Sequence, residues 1–471
     1  MKICVLQPDY GHSEVDYKNY DPPRNLAHLM PESQVDHVFL DKRSTYRQLK
    51  TLKKQGYDIF VNLCEAYLEW DIPSIDVIHS LELLDLPYTG PDALHYDPPK
   101  PLMKYVAHTA GVRTPDFAVL ERVEDIENKC AHLQFPLFVK PVKAGDSLGI
   151  TEQSLVHTPA ELRRSATGVI AAYDAALVEA FVEGREFTVL VAADADPYRP
   201  PATFRSLEFV FPEDRSFKTY DLKITQWHPE CNVPCSDPAL DARLREAATA
   251  VFKAFEGVGY ARLDFRVNGA GEIFFLEINF ACSVFYPEGY EGSADYILKY
   301  EEEGQAGFLR RIIGEGRARH RRKQKAYVMS GNTHSGFGIR AARPLDVGDL
   351  VWRGEERAQR IATRSWVERH WPPEAQETFR RYAYPVSDEV FILWDADPGQ
   401  WAPMNHSCDP NTRYEGLNVV ALRAIAPGEE LTLDYGDFLD EHMEPFECRC
   451  GSPTCRGFIK GTPGRKAGSW Q

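Results

Sequence analysis

Asp264, Glu277 and Asn279 are three oxygen donors spaced to act together. Glu277 and Asn279 stand two apart and share one face of a strand, and Asp264 lies in a neighbouring stretch joined to theirs by the hairpin signal Asn268-Gly-Ala-Gly. A set with no Cys or His suits a hard cation such as Mg²⁺, which takes few carboxylates and completes its shell with water and phosphate oxygens. A solvated polar face is the alternative. The surrounding Ile273-Phe-Phe-Leu-Glu-Ile weighs against it, because a carboxylate in so apolar a strand is costly unless paired or metal-bound. Lys100, Lys140 and Lys223 lie in strand or loop contexts, and lysines beside two acids are what a triphosphate with magnesium needs. Sulfur forms a second group: Cys448-x-Cys450-x4-Cys455 offers three thiolates of a tetrahedral zinc site and lacks a fourth. Cys231-x3-Cys235 with His228 just ahead has no familiar metal spacing, and ordinary loop cysteines are its default reading.

Positioning these groups requires α/β architecture followed by a mostly-β domain. Residues 1–95 alternate apolar strands (3–6, 38–40, 57–62) with helical stretches, the pattern of a small parallel α/β subdomain whose ligands sit beyond the carboxyl ends of its strands. Residues 96–316 form a second domain, with strands at 136–141 and 176–182, a glycine-containing loop at 143–149, and the hairpin strands 259–266 and 272–279. The basic run 317–325, Arg-Ala-Arg-His-Arg-Arg-Lys-Gln-Lys, reads as a solvated linker, with a nuclear-import signal or a phosphate patch as alternatives. Beyond it, residues 326–445 show short strands and few helices, and 446–460 hold the cysteine cluster.

The 471 residues exceed a single domain, and 43% hydrophobic with 26% charged residues excludes a collagen, a coiled coil or a mostly disordered chain. No apolar run approaches the ~20 residues of a membrane span, and the first six residues read as a strand, so the expectation is a cytoplasmic protein with no membrane partner. The net charge of -16 is uneven: from Arg321 onward 20 basic residues face 21 acidic ones, leaving -15 on residues 1–320. An acidic body disfavours nucleic acid as a partner. Four of the ten cysteines fall within the last 64 residues, and clustering in a reducing compartment points to metal rather than disulfides.

Pro99-Lys-Pro-Leu-Met-Lys104, Phe138-Val-Lys-Pro141, Val178-Glu-Ala-Phe-Val-Glu-Gly-Arg-Glu-Phe-Thr-Val189, Tyr220-Asp-Leu-Lys223, Arg262-Leu-Asp264 and Leu276-Glu-Ile-Asn279 occur in an order that resembles the ATP-grasp fold, in its D-alanine–D-alanine ligase-like branch, over residues 1–315. The resemblance implies that Lys100, Lys140 and Lys223 touch ATP phosphates, that Glu179 and Glu186 sit at adenine and ribose, and that the loop around Ser147 closes over the phosphates. It also implies that Asp264, Glu277 and Asn279 hold Mg²⁺ and that Arg262 stabilises a tetrahedral intermediate. The implied chemistry joins a carboxylate to an amine through an acyl phosphate. Phe280-Ala-Cys-Ser-Val284 stands where those enzymes carry Thr-Ser-Pro-Gly, and Ile224 replaces their tyrosine, so the amino-acid pockets are rebuilt and D-alanine is not the expected substrate.

Ser335-Gly-Phe-Gly-Ile-Arg-Ala341, Asn405-His-Ser-Cys-Asp-Pro-Asn411 and Pro427-Gly-Glu-Glu-Leu-Thr-Leu-Asp-Tyr-Gly436, followed by the cysteines, resemble a SET-domain methyltransferase with a post-SET zinc element over 325–460. This implies S-adenosylmethionine against Gly336, Phe337, Gly338, Asn405 and His406, and Tyr435 as catalytic tyrosine. It also makes Cys408 the fourth zinc ligand with Cys448, Cys450 and Cys455. Tyr382, Tyr384, Phe391 and Trp401 are candidate walls of an amine channel, with core aromatics as the alternative, and Leu433 leaves room for higher methylation. The expectation is a bifunctional ligase and amine N-methyltransferase acting on amino-acid or peptide-like substrates or a protein lysine, with a homodimer as its assembly. The alternative is a protein-lysine methyltransferase whose ATP-grasp region only binds a partner.

Overall fold

Ile3-Cys-Val-Leu6 is apolar on both faces, as a central parallel strand must be, and all four side chains are buried. The computed structural model describes all residues except 14–20, 69, 144–147, 212–216, 218–228, 333–335, 355–358, 395–401, 443 and 463–471. It divides into two units, Met1–Arg321 and Arg322–Gln471. Ser147, Lys223, Ile224, His228 and Trp401 lie outside the described residues.

In the first unit β1 (Lys2–Pro8), β2 (Gln34–Leu40) and β3 (Ile59–Asn62) form a parallel sheet in the order β2-β1-β3. One face is covered by α1 (Thr45–Lys53) and α2 (Ile75–Leu83) through Leu49, Leu52, Val77, Ile78 and Leu81. The other packs against helices Ser293–Lys299 and Gly304–Lys323, whose Ile297, Leu298, Phe308, Leu309, Ile312 and Ile313 join Val5 and Val61 in one core. Next come α3 (Lys100–Thr109) and an antiparallel sheet, order β4-β7-β5-β6, of β4 (Phe117–Leu120), β5 (Leu137–Pro141), β6 (Leu155–Val156) and β7 (Ala176–Ala180).

A second antiparallel sheet contains β8 (Arg185–Ala192), β9 (Ala202–Thr203), β10 (Leu207–Phe209), β11 (Asn232–Pro234), β12 (Tyr260–Val267) and β13 (Ile273–Asn279), ordered β11-β10-β8-β12-β13 with β9 on β8. Ala261, Leu263 and Phe265 of β12 pack with Val189 and Val191 against helix Pro238–Ala254. Alternation then sends Arg262, Asp264 and Arg266 to the opposite face. The helix is started by Asp237, whose carboxylate accepts the Ala239 N–H at 2.9 Å and the Leu240 N–H at 3.2 Å.

The basic run departs from the expected linker. Residues 317–323 continue helix Gly304–Lys323, and Glu315 and Arg319 are buried there. Arg319 donates to the carbonyls of Tyr88 and Gly90, both at 2.9 Å, and a Cβ on Gly316 would meet the Tyr88 carbonyl oxygen at 2.4 Å. The helix persists because its apolar stripe is anchored on the parallel sheet, and cations suit its last turns. The helices from Ser293 onward belong by packing to the core of the N-terminal sheet, so the division at residue 95 is one of sequence order and not of core.

The second unit is built from short strands, as expected. Tyr327–Asn332 pairs with Gly336–Ala341, Leu350–Trp352 and Thr412–Glu415 flank Asn418–Ala421, and Gln359–Thr363 and Tyr384–Pro385 flank Val390–Trp394. Asn405–His406 runs parallel to Thr432–Leu433. Two helices that the sequence signalled poorly, Arg364–His370 and Pro373–Tyr382, bury little besides Val367 and Phe379. Their apolar periodicity is too sparse to read; they are held by the Thr363 cap and by packing on Phe391 and Leu393. Among the described residues no helix is long and apolar enough to cross a membrane.

Candidate functional site

Asp264 and Glu277 are directly opposed in the β12–β13 ladder, and Arg262 opposes Asn279. The four side chains therefore form one square on one face. Asn279 Nδ2 donates to Asp264 Oδ2 and to Glu277 Oε1, each at 3.4 Å, and Arg262 donates to both Asp264 oxygens at 3.3 Å. Lys100, the first residue of α3, brings its Nζ to 3.8 Å from Glu277 Oε2 because α3 packs along β13. The two carboxylates and the amide thus meet on one face, with a register shift between Asp264 and Phe265 setting Asp264 opposite Glu277.

Lys140 and Glu179 lie on β5 and β7 and share a face, since Lys140 opposes Leu177, two residues before Glu179. Lys140 Nζ is 2.6 Å from Glu179 Oε1, and Lys104 Nζ is 2.7 Å from Glu179 Oε2. All three are buried. Burial pushes the Glu179 carboxyl up, but the two ammonium groups outweigh it and hold it at about 2. Burial likewise pulls Lys100 and Lys104 down, with Glu277 and Glu179 opposing; at Lys140 Glu179 and Glu277 prevail and its pKa is raised. Lys104 had no assigned role in the sequence. Its signal was the four-residue spacing from Lys100, which puts both on one face of a helix.

Removing the shared acid leaves two buried cations close together, so Glu179→Ala should destabilise the first unit by about 3–5 kcal/mol, measured by urea unfolding. The depressed carboxyl also gives a sign for pH. Its stabilisation is complete above the ordinary glutamate value of about 4.3 and is lost as pH falls towards the folded value. The acid limb of the first unit's stability should therefore flatten in Glu179→Gln.

Glu186 also acts on Lys140, raising its pKa, but its ion pair is with another residue. It accepts from Arg266 at 3.3 Å, and Arg266 also donates to the Val182 carbonyl at 2.8 Å and stacks on Phe181 at 4.8 Å. Phe138, Phe181 and Phe217 form an aromatic cluster beside it.

In the second unit Gly338 is buried, and a Cβ there would meet Asn405 Nδ2 at 2.8 Å and Glu430 Oε1 at 3.1 Å. Gly336 and Phe337 are exposed on the same strand. Asn405 Nδ2 donates to Glu430 Oε1 at 2.8 Å. His406 Nδ1 accepts the Tyr435 backbone N–H at 3.1 Å, and burial lowers the His406 pKa, keeping that nitrogen an acceptor. Tyr435 donates its hydroxyl to the Met404 carbonyl at 2.5 Å, and burial raises its pKa.

Tyr384 and Phe438 stack at 5.8 Å, and Phe438 lies 5.6 Å from the Tyr435 ring, so Tyr384 belongs to the aromatic packing around Tyr435. It is only 2% exposed and donates to the Gly416 carbonyl, which makes it core as much as wall. Phe391 is no wall: it is buried against Phe379 in the core of the two helices. Tyr382 is exposed and Leu433 is buried.

The four sulfurs of Cys408, Cys448, Cys450 and Cys455 lie within 4.8 Å of one another, with Cys408 and Cys448 3.8 Å apart. Backbone N–H groups of Cys408, Arg456 and Gly457 point at Cys450, Cys408 and Cys455 sulfurs. Such donors favour thiolates. Among the described residues this is the one cluster of His, Cys and acids converging in this way. Cys235 is buried with its sulfur against the Asp237 carbonyl and joins no such group.

Residues 106–283 match the family model described as D-ala D-ala ligase C-terminus, and residues 336–436 match that of the SET domain. The D-alanine–D-alanine ligase of Aquifex aeolicus is 32% identical over 204 residues, 42% of this chain and 64% of that protein, so the chain spans just under two thirds of it. D-alanine–D-alanine ligase B of Chromobacterium violaceum is 29% identical over 241 residues, 50% of this chain and 73% of that one. A crystal structure of the Bacillus anthracis D-alanine–D-alanine ligase complexed with ATP aligns at TM-score 0.47 and 19% identity, covering 69% of this chain and 99% of that one.

Proposed function

From a chain that carries a D-ala D-ala ligase C-terminal domain of the ATP-grasp type and a SET domain, we propose a bifunctional enzyme: an ATP- and Mg²⁺-dependent carboxylate–amine ligase joined to an S-adenosylmethionine-dependent amine N-methyltransferase. The observation that carries the ligase half is the square of Arg262, Asp264, Glu277 and Asn279 faced by Lys100. Magnesium bound by Asp264, Glu277 and Asn279 would neutralise charge on the ATP phosphates. Lys100 and Lys140 would hold the phosphates, and Arg262 the oxyanion that develops at the acyl carbon. The substrate carboxylate attacks the terminal phosphorus of ATP, ADP leaves, and the acyl phosphate is then attacked by an amine, which loses a proton as inorganic phosphate departs. The protein's part is position and charge.

In the methyltransferase half S-adenosylmethionine supplies an electrophilic methyl group. Gly338, Asn405 and His406 would hold it, the missing Cβ at Gly338 giving Asn405 and Glu430 the room to pack against that strand. Tyr435, fixed between the Met404 carbonyl and His406, would orient the acceptor amine. The buried aromatic surroundings favour the neutral, nucleophilic amine over ammonium. The acceptor is a lysine-like amine of the ligase's own substrate or product, or a protein lysine.

The cysteine cluster fits a structural Zn²⁺. Bonds of about 2.3 Å in a tetrahedron separate sulfurs by about 3.8 Å, the distance found between Cys408 and Cys448. Elemental analysis should find one zinc per chain, and Cys408→Ser or chelation should lower the unfolding temperature of the second unit and abolish methyl transfer. Incubation with ATP, Mg²⁺, labelled S-adenosylmethionine and an amino-acid mixture tests the whole reading. Amino-acid-dependent phosphate release and label transfer are expected; absence of the first removes the ligase half.

A further inference from the structure

Beyond the nucleotide and metal residues, the first unit holds a cavity at the carboxyl ends of β1 and β3, lined by Tyr10, Tyr67, Trp70 and Tyr286 together with Asp21, Glu65 and Arg24. We propose that this cavity selects a cationic amine on the side chain of the ligase's substrate and accepts its N-methylated forms. This rests on the ligase reading above and names the substrate class of that site.

Two carboxylates against one guanidinium make the lining net negative, and four aromatic rings line it, the Tyr286 ring already carrying Arg24 on its face. Ring faces attract ammonium groups, and quaternary ammonium ions above all, because those keep their charge and need no hydrogen-bond acceptors. Arg24 is the frame of the cavity. It is 2% exposed, donates to the Leu63 and Val284 carbonyls at 2.9 and 3.1 Å, pairs with Asp21 at 3.3 Å and Glu65 at 3.4 Å, and lies over the Tyr286 ring at 4.7 Å. With its Nη atoms turned to these protein acceptors, it is poorly placed to receive an anionic ligand.

Asp21 is occupied too. Its Oδ1 accepts the Tyr286 hydroxyl at 2.9 Å as well as Arg24, and its Oδ2 accepts the Tyr10 hydroxyl. It can lend charge but has little capacity for further N–H donors. A methylated ammonium, with charge and few or no N–H groups, matches that supply better than a primary ammonium.

Position completes the case. Ser283 lines the cavity four residues after Asn279, which bounds the separation of their Cα atoms at about 14 Å. Ser283 and the Val284 carbonyl lie in the stretch 280–284, and Tyr286 follows two residues after it. A cationic side chain bound here would belong to a substrate whose carboxylate lies towards the metal residues, and the methylated amine is what the second unit would produce.

The test is calorimetric titration of the full chain, with Mg²⁺ and a non-hydrolysable ATP analogue, by Nε-trimethyllysine, lysine, norleucine and D-alanine. Each is also assayed for phosphate release with ATP. Nε-trimethyllysine should bind at least tenfold more tightly than norleucine and no more weakly than lysine. Trp70→Ala and Glu65→Gln should erase that preference and leave nucleotide affinity unchanged. Norleucine or D-alanine binding as well as Nε-trimethyllysine overturns the proposal, and that comparison is made on the unaltered protein, whatever the variants do. Phosphate release without cation preference overturns the cavity's role and leaves the ligase. Cation-selective binding with no phosphate release for any amino acid supports the cavity and removes the ligase.

Discussion

Glu277→Gln should reduce ATP- and Mg²⁺-dependent phosphate release by about 10²–10³-fold, the usual cost of removing one preorganised electrostatic group from a reacting centre. The change keeps size and hydrogen bonding and removes one charge. Glu277 accepts from Asn279 at 3.4 Å and faces Lys100 at 3.8 Å, so an amide there satisfies the same neighbours but no longer anchors a divalent cation. A magnesium titration separates this from simple misfolding: the variant's activity should recover in part at high Mg²⁺, with an unchanged unfolding midpoint. Methyl transfer by the same preparation should stay at the parental rate. If methylation falls as well, the two activities are not independent; if phosphate release persists unaltered, Glu277 is not a metal ligand.

Tyr435→Phe should abolish methyl transfer, by about 10²-fold or more, while the chain stays folded. The ring is packed against Phe438 and Phe446 at 5.6 and 6.0 Å, and the variant retains that packing. The loss is confined to the hydroxyl that bonds the Met404 carbonyl. Binding of S-adenosylmethionine, measured by calorimetry, should change little, because Gly338, Asn405 and His406 are untouched. A variant that loses cofactor affinity in parallel with rate would assign Tyr435 to cofactor binding instead. A variant with full rate would remove it from the site.

The two halves differ in how readable they were. In the β12–β13 hairpin the two-residue period puts Glu277 and Asn279 on one face, because strand geometry is local, whereas a register shift between Asp264 and Phe265 is what sets Asp264 opposite Glu277. The cysteines are similar within Cys448–Cys455, whereas Cys408 stands forty residues away and joins them only through the fold. Lys104 was passed over although it stands one helical turn from Lys100, since a lysine in a short helix is usually solvated. Its burial depends on Glu179, which arrives from a different sheet. For Phe391 the sequence leaves channel wall and core as alternatives, because an aromatic residue looks the same in sequence in either place, and packing makes it core.

What repeats at short range is legible in the sequence: the alternation of strands and helices in residues 1–95, the strands 259–266 and 272–279 with their turn, the metal-type residues and the uneven charge. The sequence also carried ordered motifs dense enough to indicate both families. Only the tertiary structure decided which residues separated by tens of positions meet. It placed Glu179 between Lys104 and Lys140, made residues 317–323 of the basic run the end of a helix with Arg319 buried, and gathered Tyr10, Trp70 and Tyr286 around Arg24. The reason is physical: backbone periodicity is set by neighbours in the chain, whereas burying a charge is tolerable only where distant segments supply its counter-charge, and that supply is a property of packing.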